Sequence, residues 1–284
     1  MSVQEELHDF LKSFGEEGKE MPACISVQDS HIVLKDQNIV VENNDTFIGL
    51  PKNLEVQFHY GDLAGISITG CHNFPILESL CVSSNGVRIE NCNNFEKIGS
   101  SVQIEGELEL VDLPKLHSIS VDVTCGGVFV ENAPMLREIP DFSGVRGTIH
   151  LKNCASLEKF SETFSEIHGS LDLVDCEVLQ TLPQKLLIHG NFYLQNCPRI
   201  VALPRTFIVE GTLNLDSDNS IVALPESLKV ISNASFRGCT FHSLPEKIAI
   251  GGHVYLHGQA DPKVIQKMYE WQDQGMIKGE IILS

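Results

Sequence analysis

The sequence is short of basic charge. It sets 20 Lys and Arg against 38 Asp and Glu, a formal net charge of −18 over 284 residues. A phosphate backbone needs a basic footprint on its partner, so nucleic acid is not expected. The same deficit argues against docking on anionic lipid. A protein partner with a basic surface is compatible with it. No apolar run reaches the ~18 residues of a spanning helix, so no membrane insertion is expected. The opening stretch MSVQEELHDFLKSF lacks the basic start and apolar centre of a secretory leader. The expectation is a chain that is cytoplasmic in the producing cell and not exported by the general secretory route. Also missing are a nucleophile elbow, a glycine-rich phosphate loop and an H-E-x-x-H pair. Neither an enzyme nor a cofactor is expected. The nine cysteines include no C-x-x-C cluster, which leaves no metal signature among them. Nine thiols fit a reducing compartment.

What the sequence does have is a period. The pattern x-x-L-x-L recurs with anchors at Gln37, Ala64, Asn85, Gly106, Gly126, Gly147, Gly169, Gly190, Gly211, Ser232, Gly252 and Gly279. From Ala64 to Gly252 the steps are 21, 21, 20, 21, 22, 21, 21, 21 and 20, and the first and last steps are both 27. Each unit opens on an alternation, as in Leu171 and Leu173, Phe192 and Leu194, Leu213 and Leu215. Period two means a strand with one face buried. Leu-Pro follows at Leu182-Pro183, Leu203-Pro204, Leu224-Pro225 and Leu244-Pro245. Proline breaks helices, so the return path of each unit is expected to be extended. Units this short cannot bury their own apolar face, and stacking them in register builds one continuous core.

The pattern L-x-L-x-x-C-x-x-L-x-x-L-P resembles the leucine-rich repeat, with Cys in place of the usual Asn. The short unit and its Leu-Pro segment are similar to the bacterial class found in secreted effector proteins. The resemblance is strongest from Gly147 to Ile250; earlier units depart from it, with Leu113 and Ala133 where Cys is expected. It implies a repeat solenoid, a leucine-rich-repeat horseshoe with a parallel concave β-sheet and an extended or 3₁₀ convex side. A parallel β-helix has a similar coil length and is the alternative; Leu-Pro at a fixed offset favours the horseshoe.

Helical caps are expected at both ends, because a solenoid must cover its open core. Residues 1–36 read as an N-terminal helical cap and lead-in: Ser2 and Glu5 form a capping box ahead of Leu7, Phe10, Leu11 and Phe14 at helical spacing. Residues 37–284 read as the solenoid. They include a C-terminal cap helix at about 262–274, with Asp261 as N-cap, Pro262 at the first position and Gly275 ending it. A last strand is expected at 279–284.

Six cysteines share one alignment position: Cys71, Cys92, Cys154, Cys176, Cys197 and Cys239. A buried thiol acts as a small apolar group with a weak donor, so a structural ladder is expected rather than disulfides or a metal. The residues between the leucines face outward. The central outward column reads Ser67, Arg88, Glu109, Phe129, His150, Asp172, Tyr193, Asn214, Ser235 and Tyr255. The next contains Glu90, Glu131, Lys152, Gln195, Arg237 and His257. Aromatic and Arg side chains on a rigid sheet are typical interface anchors. The candidate partner-binding residues are therefore Arg88, Glu109, Phe129, Glu131, His150, Lys152, Asp172, Tyr193, Asn214, Arg237 and Tyr255. The expected function is non-catalytic protein recognition by a monomer. The resemblance further implies an effector translocated into a host cell. The alternative is a structural or regulatory binding protein inside the producing cell, and a weaker one is an enzyme using the His150 and Asp172 neighbourhood.

Overall fold

A computed structural model describes residues 25–28, 31–35, 39–51, 54–57, 65–83, 86–216 and 220–284. The chain forms two compact units, Met1–Met135 and Leu136–Ser284. Each is a parallel β-solenoid of stacked turns about 21 residues long.

In the first unit the leading strands are Ile39–Glu42, Ile66–Thr69, Val87–Glu90, Glu107–Val111 and Gly127–Glu131. They pair in parallel in sequence order, so each turn adds one strand beside the last. The second unit stacks Ile149–Lys152, Leu171–Val174, Phe192–Gln195, Leu213–Asn214, Ala234–Ser235, Val254–Leu256 and Ile281–Leu283 in the same way. Every one of the twelve anchors is followed by a strand at the expected place. The alternation explains why. Leu171, Leu173, Phe192, Leu194, Leu213 and Leu215 are fully buried, while the residues between them face outward. Burial of such a side chain contributes roughly 1.5–3 kcal/mol, and that gain is available only when a neighbouring turn covers it.

The return path is extended, as the Leu-Pro positions require, and no 3₁₀ segment is found among the described residues. It also pairs into sheets of its own. In the second unit Glu166–Ile167, Lys185–Ile188, Thr206–Val209, Ser227–Val230 and Ala249–Ile250 form a second parallel sheet. In the first unit His31–Lys35, Leu54–Gln57, Leu80–Val82 and Gln103–Ile104 do the same. A further ladder joins Ile76–Leu77, Lys97–Ile98 and Ser118–Ile119. The fold is therefore a β-solenoid with sheets on more than one side of each turn, where the leucine-rich reading expected one sheet and an unpaired back. The cause lies in the alternation of the return segments. Leu186 and Ile188, Phe207 and Val209, Leu228 and Val230 are all buried, and period-two burial in successive turns brings their backbones into ladder register.

The stacking is tight where a turn begins. A Cβ built on Gly169 would lie 2.2 Å from the Gly147 carbonyl carbon, and one on Gly279 2.4 Å from that of Gly252. Glycine at these anchors lets one turn rest its backbone on the next; Gly190 N–H donates to Gly169 O at 2.8 Å and Gly211 N–H to Gly190 O at 2.9 Å.

One helix, α1 (Pro262–Asp273), is present among the described residues. The Asp261 side chain accepts from Lys263 N–H at 2.8 Å, and Gly275 reverses the chain at φ 74°. Val264, Met268 and Trp271 are buried, and the Trp271 indole donates to Glu246 O at 3.1 Å. Ile265 is half-buried. The strand Ile281–Leu283 then joins the first sheet beside Val254–Leu256. The expected N-terminal helix around Ser2–Phe14 lies outside the described residues. Within the lead-in, Ile25–Gln28 pairs antiparallel with His31–Lys35.

Candidate functional site

The pleat decides which side chains reach the surface of the first sheet. In the first unit Ser67, Arg88, Glu109 and Phe129 stand opposite one another on successive strands, and Thr69, Glu90, Val111 and Glu131 form the neighbouring row. The Arg88 guanidinium donates to Glu90 at 2.9 Å and also pairs with Glu109. These bonds, with that to Glu90 largest, hold its pKa above the ordinary arginine value. Arg88 is thus a bridge between Glu90 on its own strand and Glu109 on the next. Such partly exposed pairs are worth about 0–1 kcal/mol, so their effect is to fix the geometry more than to stabilise the fold.

In the second unit His150, Asp172, Tyr193, Asn214, Ser235 and Tyr255 are in register across six strands, with Lys152, Val174 and Gln195 beside them. His150 Nδ1 lies 3.4 Å from Asp172 Oδ2. The nearby Ser170 hydroxyl accepts from Asn191 N–H at 2.9 Å. The Tyr193 hydroxyl donates to Gln195. Farther along, the Asp216 carboxylate accepts from Ser235 Oγ at 2.5 Å, from Arg237 N–H at 3.0 Å and from Arg237 Nη1 at 3.3 Å. The Arg237 guanidinium lies 4.9 Å from the centre of the Tyr255 ring, a cation–π contact, and its Nε donates to Ser284 Oγ at 2.9 Å. Phe129, Tyr193 and Tyr255 are half-buried, not fully exposed as the alternation alone suggests. They are held in place and still present a face.

Behind the sheet runs the thiol column. Cys71, Cys92, Cys154, Cys176 and Cys197 are fully buried, and Cys239 is only half-buried. Cys71, Cys81, Cys92, Cys154 and Cys176 are free thiols. The five buried column thiols each lie near a carbonyl at the end of their own strand, as with Cys176 Sγ 3.6 Å from Val174 O and Cys197 Sγ 3.4 Å from Gln195 O, while Cys239 Sγ is 3.3 Å from Leu215 O of the preceding turn. The bond to Cys154 first, and burial besides, push the Cys176 thiol up to about 12, and burial pushes Cys92 up to about 11. Asn91, Asn153, Asp175 and Asn196 stand just before Cys92, Cys154, Cys176 and Cys197, and Asp112 and Asn132 just before Leu113 and Ala133 at the same repeat position, every one at φ between 52° and 57°; Gly70 and Gly238 take the place before Cys71 and Cys239. Asn and Asp tolerate this left-handed conformation better than other side-chain-bearing residues. They also bond from turn to turn, Asn132 to Asp112 and Asn196 to Asp175, each at 2.6 Å.

A polar group that sequence reasoning missed lies on the second sheet. Glu166, His168 and His189 bring one donor atom each within 4.8 Å of one another. His189 Nε2 is 2.8 Å from Glu166, and its Nδ1 is 2.8 Å from Glu210. Bonds to Glu166 and then Glu210 raise the His189 pKa, and the bond from His189 lowers that of Glu166. The signal was available: His168, His189 and Glu210 each directly precede an anchor glycine, 21 residues apart.

No protein-family model, no curated protein and no solved structure matches the chain.

Proposed function

We propose that the chain is a non-catalytic recognition module, a repeat solenoid whose units resemble the short bacterial leucine-rich repeat and which binds a protein through the outward columns of its leading strands. The observation that carries the reading is the half-buried aromatic side chains on the stacked strands of each unit: Phe129 beside Glu109 and Glu131 near Arg88 in the first, and Tyr193 and Tyr255 among His150, Lys152, Asp172, Asn214 and Arg237 in the second. Ordered aromatic and Arg groups lose little conformational freedom on binding, which is why they dominate interface energetics. The acidic row of the first unit suits a partner with a basic surface. The resemblance to effector repeats adds that the partner belongs to a host cell into which the chain is translocated.

The test is affinity capture from host-cell and producer-cell lysates with three baits: wild type, Tyr193→Ala and, as a control on the second sheet, Lys229→Ala. The reading expects a discrete host protein retained by wild type and by Lys229→Ala and depleted by Tyr193→Ala. Capture only from the producer lysate would favour an internal regulatory role. Retention by Tyr193→Ala with loss by Lys229→Ala would overturn the choice of face.

A further inference from the structure

The repeat brings chemistry together on the second sheet that the recognition reading does not use. The strands Glu166–Ile167, Lys185–Ile188 and Thr206–Val209 pair in parallel. The ladder continues one residue past their ends, with His189 N–H donating to Ile167 O at 3.0 Å and Glu210 N–H to Ile188 O at 2.8 Å. His168, His189 and Glu210 are therefore side by side on consecutive turns. The two imidazole rings are nearly parallel, 14° apart, with centres 5.6 Å apart.

We propose that Glu166, His168 and His189 form a binding site for a divalent transition-metal ion of the zinc class. Imidazole nitrogens with one carboxylate are the donor set that such ions favour. The spacing fits. Ligands at ~2.0–2.1 Å around a tetrahedral zinc lie roughly 3.3 Å from each other. Here Glu166 Oε1 is 2.8 Å from His189 Nε2 and 3.8 Å from His168 Nδ1. A shift of about half an ångström equalises these two for a tetrahedral ion, and the two histidine nitrogens, within 4.8 Å of each other, close by rotation of partly exposed side chains. Glu210 is a positioning residue. By accepting from Nδ1–H of His189 it fixes the tautomer whose Nε2 lone pair faces Glu166, the carboxylate–histidine arrangement that supports metal ligands. Three protein ligands leave a fourth position for water. The charges balance, since two carboxylates offset the ion while both imidazoles stay neutral.

The competing occupant is a proton, with His189 as an imidazolium between Glu166 and Glu210. That arrangement has no use for His168, whose Nδ1 stops at 3.8 Å from Glu166. The distance is too long for a hydrogen bond and suited to two ligands of one ion.

The experiment is calorimetric titration of zinc chloride into the chelator-stripped full chain. A Cys81→Ser background removes the exposed thiol among the described cysteines. One saturable site per chain is expected. His168→Ala and His189→Ala should each weaken it at least tenfold, and Glu210→Gln by about 10- to 100-fold, the usual scale for a supporting carboxylate. Melting with and without zinc gives the second readout. The parent midpoint should rise with zinc and the His168→Ala midpoint should not, while their metal-free midpoints agree. Absence of saturable binding overturns the proposal. So does binding that survives both histidine substitutions, which would place the ion elsewhere.

Discussion

At the scale of single residues, the thiol column and the left-handed Asn/Asp column are two halves of one turn, and only one was legible beforehand. The cysteines stood out because a rare residue recurred at one offset. The Asn and Asp column was equally regular, but polar residues at a turn are so common that their recurrence carried no signal until φ values near 53° gave it a reason. Cys154, Cys176 and Cys197 are fully buried, so thiol labelling of the native protein should spare them and mark the exposed Cys81. All should react after unfolding. Cys176→Ser places a stronger polar group in the same apolar slot and should cost ~1–3 kcal/mol in a denaturant titration. The folded thiol of Cys176 titrates at about 12, above the ordinary value near 9.0. A raised value favours the neutral thiol in the folded state. Its contribution is therefore fully present below the unfolded thiol range and is lost as pH rises from there toward about 12. Denaturation midpoints measured from pH 7 to pH 10 should fall more steeply for wild type than for Cys176→Ala.

At the scale of elements, the leading strands and α1 were readable because each had a local cause: alternation for the strands, Asp261-Pro262 and Gly275 for the helix. The second sheet was not. Leu-Pro announces an extended return path, but a return segment joins a sheet only when the next turn brings an equivalent segment alongside, and that depends on coil geometry rather than on any residue. The glycine anchors show how closely the turns approach. Gly169→Ala would drive a Cβ to 2.2 Å from the Gly147 backbone, where no flexible side chain can yield. A loss of about 2 kcal/mol or more is expected from such overpacking, read as a lower melting midpoint without loss of strand content. Leu173→Ala, in the fully buried core of the same turn, should cost about 2–5 kcal/mol through the cavity it leaves.

At the scale of the molecule, the repeat converts a linear sequence into columns. The two outward columns were read from the sequence in their true register, because a fixed period makes stacking partners calculable. Their internal bonding was not legible. Arg88 joining Glu90 and Glu109, and Arg237 lying over Tyr255, follow from rotamers rather than spacing. The Glu166, His168 and His189 group was not legible for a different reason: its residues sit on return segments, whose pairing into a second sheet no sequence motif announces. With a net charge of −18, association with a basic partner should slow as salt rises. Glu109→Lys combined with Glu131→Lys should reduce the association rate most at low salt, as read by stopped-flow or surface-binding kinetics. Tyr193→Ala should cost ~2 kcal/mol of affinity, mainly through faster dissociation, with the fold intact. The most direct measurement of the binding face is site-specific photocrosslinking in host-cell lysate, with a photoreactive amino acid in place of the exposed Gln195 beside Tyr193, and separately in place of Lys229 on the second sheet. A discrete cross-linked protein at position 195 and none at position 229 is the predicted result. An adduct at 229 with none at 195, or none at either position, would contradict recognition through the outward columns.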